Sequence, residues 1–257
     1  MQMGVMGAAV ATGISQTVGF LIAATHFVFK KGELVVSKYK PQFKLFRKII
    51  FRGLPAGIVQ LSTPVSTLCM NRTLLSAFGD IGVNAFSIIS YVSSFTMSVF
   101  FGVSGGLQPL FGQAYGLKNT EDLKSYHRAG QFLSLIGSAI CVAIYVIFPH
   151  ALCKLFGADA ETTYFTAVHM WEYCWGFMIA SINSMLSAYF YSTKRSGQAI
   201  VLNVVRSLIA NTLVIMILPE IFGSGIVWHT FGIYELIVLV IASVLKKTSE
   251  RNGIAYH

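Results

Sequence analysis

Two charged residues lie where charge is costly. Arg206 falls near the middle of one long apolar run and Glu235 near the middle of the next. Arg206 follows the basic pair Lys194–Arg195 by eleven residues, and Glu235 precedes the pair Lys246–Lys247 by eleven. At helical rise each is about 16 Å from its own basic end, close to the midplane of a hydrocarbon layer about 30 Å thick. A charge at that depth costs about 3 kcal/mol or more, so it is paired or lines a polar path. The two runs are expected to be sequential antiparallel helices, with both side chains facing inward within direct or water-bridged reach. The alternative is that each finds a separate partner, such as Tyr91 or Asn203. A membrane protein with a polar interior points to transport ahead of a purely structural role.

Composition supports the membrane setting. The chain of 257 residues is 54% hydrophobic and 11% charged, with mean hydropathy +0.66, whereas a soluble domain carries about 25% charged residues. The net charge of +9 does not point to nucleic acid. The basic residues fall in the gaps between apolar runs instead of clustering with aromatics on a soluble face. The cysteines Cys69, Cys141, Cys153 and Cys174 form no C-x-x-C pair, and the six histidines show no metal spacing. Neither a metal site nor a cofactor is expected, and no enzyme motif is present.

Seven helical spans are predicted, at 4–29, 53–77, 84–108, 129–149, 164–190, 198–218 and 225–245, each long enough to cross. Sixteen of the nineteen Lys and Arg lie in the gaps 30–52, 118–128, 194–195 and the tail after 245. The positive-inside rule puts those segments in the cytoplasm and the amino terminus outside. The first run lacks a basic region before it and is not a signal peptide. An outside amino terminus without a preceding signal reads as a chain without its natural beginning. The segment 30–52, with Phe43, Phe46, Ile49 and Ile50, is expected to lie along the cytoplasmic membrane surface.

The first and last spans match weakly at an offset of 219 residues: Gly4 with Gly223, Gly13 with Gly232, Ile14 with Ile233, Gln16 with Glu235. Internal repeats of this kind frame a central site in transporters. If the last span closes one half, the first closes the other.

In order and spacing, several stretches resemble the MATE family, the multidrug and toxic compound extrusion transporters. Met3 through Gln16 resembles its sixth helix, and Gly53-Leu54-Pro55-Ala56 the start of its seventh. Gly102 through Gly106, Pro109-Leu110, Gly112 and Gly116 resemble its eighth. Arg206, Pro219, Phe222-Gly223, Trp228 and Glu235 resemble its eleventh and twelfth. The resemblance implies an all-α polytopic protein of the cytoplasmic membrane. Residues 1–29 would be the last helix of a first lobe, 30–52 a basic linker, and 53–257 a six-helix second lobe with a short tail. It implies a Na⁺- or H⁺-coupled antiporter exporting organic, often cationic, compounds, here without five first-lobe helices. An inactive fragment and a lipid-linked oligosaccharide flippase are the alternatives. Some family members carry carboxylates in the seventh and tenth helices, where this chain has Thr63 and Asn183.

Candidate path residues are Gln60, Thr63, Asn71, Tyr91, Asn183, Arg206 and Glu235. Gln60, Thr63, Thr67 and Asn71 share one helical face around Pro64. That stripe faces a cavity or makes interhelical hydrogen bonds; both readings stay open. Asn183, Ser187 and Tyr191 share a second face. Tyr91, Phe95, Phe100 and Phe101 offer rings that would stack on a flat organic cation or fill core. Glu172 is placed near the outer surface, not at a cation site. Gly102, Gly105, Gly106, Gly112 and Gly116 are expected to serve close helix packing.

Overall fold

The computed structural model describes residues 4–28, 43–193 and 195–251. The linker residues 29–42, most of the predicted surface segment, lie outside the described residues. The chain divides into two compact units, Met1–Phe51 and Arg52–His257. The first contains α1 (Gly4–Val28), an apolar helix in which Thr17 and Thr25 return their hydroxyls to the carbonyls of Gly13 and Ile22.

The second unit is all helical among the described residues. Its elements are α2 (Phe43–Gly116, which begins in the first unit), α3 (Thr120–Ile147), α4 (Pro149–Leu155), α5 (Ala160–Cys174), α6 (Gly176–Ser192), α7 (Ser196–Val204), a π-helical turn (Val205–Ala210), α8 (Asn211–Phe222), a 3-10 turn (Ser224–His229) and α9 (Thr230–Arg251). Four described helical runs are long and apolar enough to cross a membrane: Gln60–Gly116, Thr120–Ile147, Gly197–Phe222 and Ser224–Thr248. The first has 57 residues, about 85 Å at helical rise and far more than one bilayer core. It breaks at Gly79 and so carries both the second and the third predicted spans.

Gly79 makes that break because of its backbone. Its φ of 67° and ψ of −156° lie in a region open in practice only to glycine. A Cβ built there would meet nothing within 4 Å, so the requirement is conformational, not steric crowding by neighbours. Gly79→Ala is expected to lower stability by about 1–3 kcal/mol. A fall in the thermal midpoint of the detergent-purified chain, without loss of helical circular dichroism at low temperature, would report it.

Four predicted spans differ from the sequence reading. The predicted continuous span 164–190 is interrupted at Trp175. The backbone of Trp175 stays right-handed (φ −59°, ψ −27°), so the run bends and does not end. The predicted span 198–218 contains the π-helical turn, and the predicted span 225–245 opens as a 3-10 turn before α9. The helix predicted to start at 53 is already helical at Phe43.

α6 is the axis of the unit: it packs on α3, α5, α7 and α9, and Asn183 through Phe190 are all buried. Two apolar clusters stack along it. One gathers Met70, Leu74, Phe86, Phe177, Trp228 and Phe231; the other gathers Phe111, Met185, Tyr189, Phe190, Leu202 and Val238. Beyond the second cluster, Lys246 Nζ lies 3.2 Å from His127 Nε2 and sits 5.6 Å over the Tyr189 ring, joining the ends of α9, α3 and α6. Many large apolar side chains point outward, among them Leu61, Leu68, Phe101, Ile147 and Ile221. Such a surface suits lipid.

Candidate functional site

Between the two apolar clusters lies a buried polar knot. On α9, Glu235 comes one turn after Phe231 of one cluster and three residues before Val238 of the other. On α6, Asn183 comes three residues after Ala180 of the first cluster and three before Leu186 of the second. Helical spacing therefore carries both polar side chains into the seam between α6 and α9.

Glu235 is 1% exposed and Arg206 14%. Arg206 Nε donates to Glu235 Oε1 at 2.8 Å, and Nη2 approaches the same oxygen at 2.8 Å. Oε2 accepts instead from Asn183 Nδ2 at 2.7 Å, which also reaches the Glu235 backbone carbonyl at 2.9 Å. The guanidinium is completed by Ser184 Oγ at 3.3 Å and the Ala180 carbonyl at 3.4 Å. Both carboxylate oxygens thus have partners, and the buried charges cancel. Asn183 Oδ1 is left buried without a hydrogen-bond partner in the protein.

Arg206 reaches this seam from the π-helical turn. A π turn widens the helix by one residue and frees a carbonyl. Here the Ser207 carbonyl accepts from Ser66 Oγ at 3.4 Å, while Asn211 Nδ2 donates to Ser66 Oγ at 3.0 Å. The turn that aims Arg206 is therefore tied to α2.

The predicted candidates separate into those brought together and those left apart. Asn183, Arg206 and Glu235 form one network, the direct pairing expected from depth. Gln60, Thr63 and Thr67 lie on the exposed face of α2, and Asn71 is half-buried with Oδ1 unpartnered. The inward face of that helix is instead Ser62, Ser66, Met70 and Leu74. Tyr91 is exposed and stacks on Phe156 at 5.5 Å, remote from the knot in its partners. Ser187 Oγ touches Asn203 Oδ1 at 3.5 Å, and Asn203 Nδ2 lies 3.5 Å from Tyr191, so those polar residues serve one another. Glu172 pairs with His169 at 2.6 Å. Ser184, Ser66 and Asn211 were not among the candidates. Ser184 adjoins Asn183 and Ser66 adjoins Thr67, so proximity to a named residue was the available signal for those two, and Asn211 had none.

The stripe Gly102, Gly105, Gly106, Gly112 and Gly116 does not serve packing within this unit: a Cβ at any of them would meet nothing within 4 Å. Close approach is made by other glycines, Gly130, Gly176 and Gly232.

The MatE family profile matches residues 55–217, which is more than half of the chain. This chain belongs to the MatE family. Among its MatE relatives, the probable multidrug resistance protein NorM of Thermotoga maritima is 30% identical over 168 residues, 62% of this chain and 34% of that protein. The multidrug export protein MepA of Staphylococcus saprophyticus is 21% identical over 228 residues, 87% of this chain and 50% of that protein. The chain therefore spans a third to a half of the length of these relatives. The fold resembles a MOP superfamily transporter from Pyrococcus furiosus with TM-score 0.81 at 20% identity, covering 100% of this chain and 58% of that one. An outward-facing multidrug resistance MATE family transporter of the MOP superfamily aligns with TM-score 0.77 at 22% identity, over 95% of this chain and 58% of that one. The all-α, polytopic membrane fold read from the sequence agrees with these likenesses.

Proposed function

We propose that this chain supplies one lobe of a cation-coupled antiporter that exports organic, often cationic, compounds across the cytoplasmic membrane, with Na⁺ or H⁺ as the coupling ion. The observation that carries the reading is the Arg206–Glu235–Asn183 knot, a net-neutral charged network buried in the core of a MatE-family membrane domain. Such a network is costly and stays in an apolar bundle for a purpose other than stability. The exposed polar stripe Gln60–Thr63–Thr67 supports it. A stripe turned outward from the unit suits a polar cavity shared with a second lobe better than it suits lipid. A flippase would need cations to receive a pyrophosphate. Arg206 is committed to Glu235, which weakens that alternative.

The test is a chimera in which residues 53–257 replace the matching part of Thermotoga maritima NorM. In efflux-deficient cells this protein is expected to export ethidium, while residues 1–257 alone stay at the empty-vector level. The pair of substitutions Arg206→Gln and Glu235→Gln in the chimera is expected to cut the efflux rate about tenfold or more, an effect of about 1.4 kcal/mol on the transport barrier. A chimera that reaches the membrane folded and exports nothing would sink the reading. Repeating the assay with choline in place of Na⁺, and at two pH values, assigns the coupling ion.

A further inference from the structure

α2 begins with a stretch that does not suit a bilayer core. Residues 43–52 are helical from Phe43 onward and hold four Lys or Arg and no Asp or Glu, a charge density that keeps them out of hydrocarbon. Their apolar and basic residues separate by helical period. At about 100° per residue, Phe43, Leu45, Phe46, Ile49 and Ile50 fall within one arc of about 160°, and Lys44 and Arg47 in the remainder. Lys48 and Arg52 continue the four-residue row that Lys44 begins. Phe51 is the one apolar residue that this spacing puts on the basic side. All five residues of the apolar arc are exposed, Phe43 at 81% and Phe46 and Ile49 at 60% each.

We propose that residues 43–52 form an in-plane helix that docks on anionic phospholipid of the cytoplasmic leaflet, with its apolar arc sunk at the headgroup boundary and its basic residues on lipid phosphates.

Three features select an anionic lipid surface as the partner. An exposed apolar arc opposite a basic one is the pattern of a helix that lies in the interface; it is too charged to cross and too apolar on one side to stay in water. Secondly, the charge is one-sided. Between Glu33 and Gln60 the chain has six Lys or Arg and no carboxylate. An anionic leaflet attracts such a segment over about a Debye length, whereas a zwitterionic one offers it no net charge. The positive-inside rule puts these residues on the cytoplasmic side, where the anionic lipid is. Thirdly, the chain has a place to turn between this helix and the crossing part of α2. Pro55 withholds a hydrogen bond from the carbonyl four residues earlier, and Gly53 and Gly57 flank it. The two compact units divide close by, between Phe51 and Arg52. The inference goes beyond the export reading, because no residue of the buried knot or of the Gln60–Thr63 stripe takes part.

The experiment is limited tryptic digestion of the full chain in lipid nanodiscs, because Lys44, Arg47, Lys48 and Arg52 are themselves cleavage sites and a docked helix is shielded. In discs of equal parts phosphatidylcholine and phosphatidylglycerol at low salt, cleavage within 43–52 is expected to be about tenfold slower than in phosphatidylcholine alone. High salt is expected to restore it by screening. The paired substitution Phe46→Ser with Ile49→Ser is expected to restore it too. It removes the apolar contact, keeps every cleavage site and, at two exposed positions, spares the fold. Cleavage after Lys118, in the turn between α2 and α3, is expected to be the same in both discs. Equal cleavage within 43–52 in the two discs, or a slowing shared by Lys118, would overturn the inference. Protection that survives Phe46→Ser with Ile49→Ser would overturn it as well, since the contact would then be one of charge alone. Protection in phosphatidylcholine discs on adding inorganic phosphate would assign a free anion, and on adding a soluble cell extract a protein partner; either result overturns the lipid assignment.

Discussion

Replacing Glu235 by Gln is expected to remove most of the folded protein from the membrane. The substitution is nearly isosteric, so the cost is electrostatic. Arg206 would keep its charge in a seam where only 14% of its side chain is exposed. Breaking one side of a buried pair costs about 3–5 kcal/mol, a large part of the stability of a typical domain. The new amide adds a second conflict. If its oxygen faces Arg206, its NH₂ meets the Asn183 Nδ2 donor that now bonds Glu235 Oε2. If it is flipped, the NH₂ meets the guanidinium. Arg206→Gln is expected to be at least as damaging, because it strands a carboxylate that is 1% exposed. The double variant is neutral and is expected to recover a substantial share of the loss. Fluorescence-detected size exclusion of the four proteins gives the amounts. Strictly additive losses in the double variant would mean that the pair carries no coupling energy.

Gly176→Ala is the second large effect. α6 and α9 approach closely where Gly176 meets Gly232. A Cβ on Gly176 would stand 2.8 Å from Gly232 Cα and run into the Phe231 ring. Gly232→Ala would drive its methyl into the Trp175 indole. Backbone and a buried ring cannot step aside, and overpacking of a tight core costs about 3 kcal/mol at such a place. Gly130→Ala makes a useful contrast. Its Cβ would press on Leu107 and on Met185, whose Sδ lies at 2.9 Å and whose Cε at 3.0 Å. Those are the ends of flexible side chains that can rotate, so a smaller loss is expected. Thermal midpoints of the three variants should rank Gly130→Ala nearest to wild type. Equal midpoints for Gly130→Ala and Gly176→Ala would show that the α6–α9 contact is not specially tight.

The sequence by itself determined the membrane setting, the approximate spans, and the equal depth of Arg206 and Glu235. These follow from quantities that do not depend on neighbours: about 20 apolar residues cross a bilayer, and helical rise converts a count of residues into depth. The structure decided that the two charges meet directly. The tertiary structure alone decided which face of a helix is inside. On α2 the polar stripe Gln60–Thr63–Thr67 follows the same period as Ser62–Ser66–Met70, and only the packing of the other helices turned the second inward. The same holds for glycine. Gly102 through Gly116 form the more conspicuous pattern, yet contact is made at Gly176 and Gly232, because a small residue matters only where another backbone arrives opposite it. The bend at Trp175 and the π-helical turn under Arg206 were likewise out of reach of periodicity. The first accompanies the close passage of Phe231 and Gly232. The second is held by Ser66 and Asn211, partners separated by 145 residues in the chain.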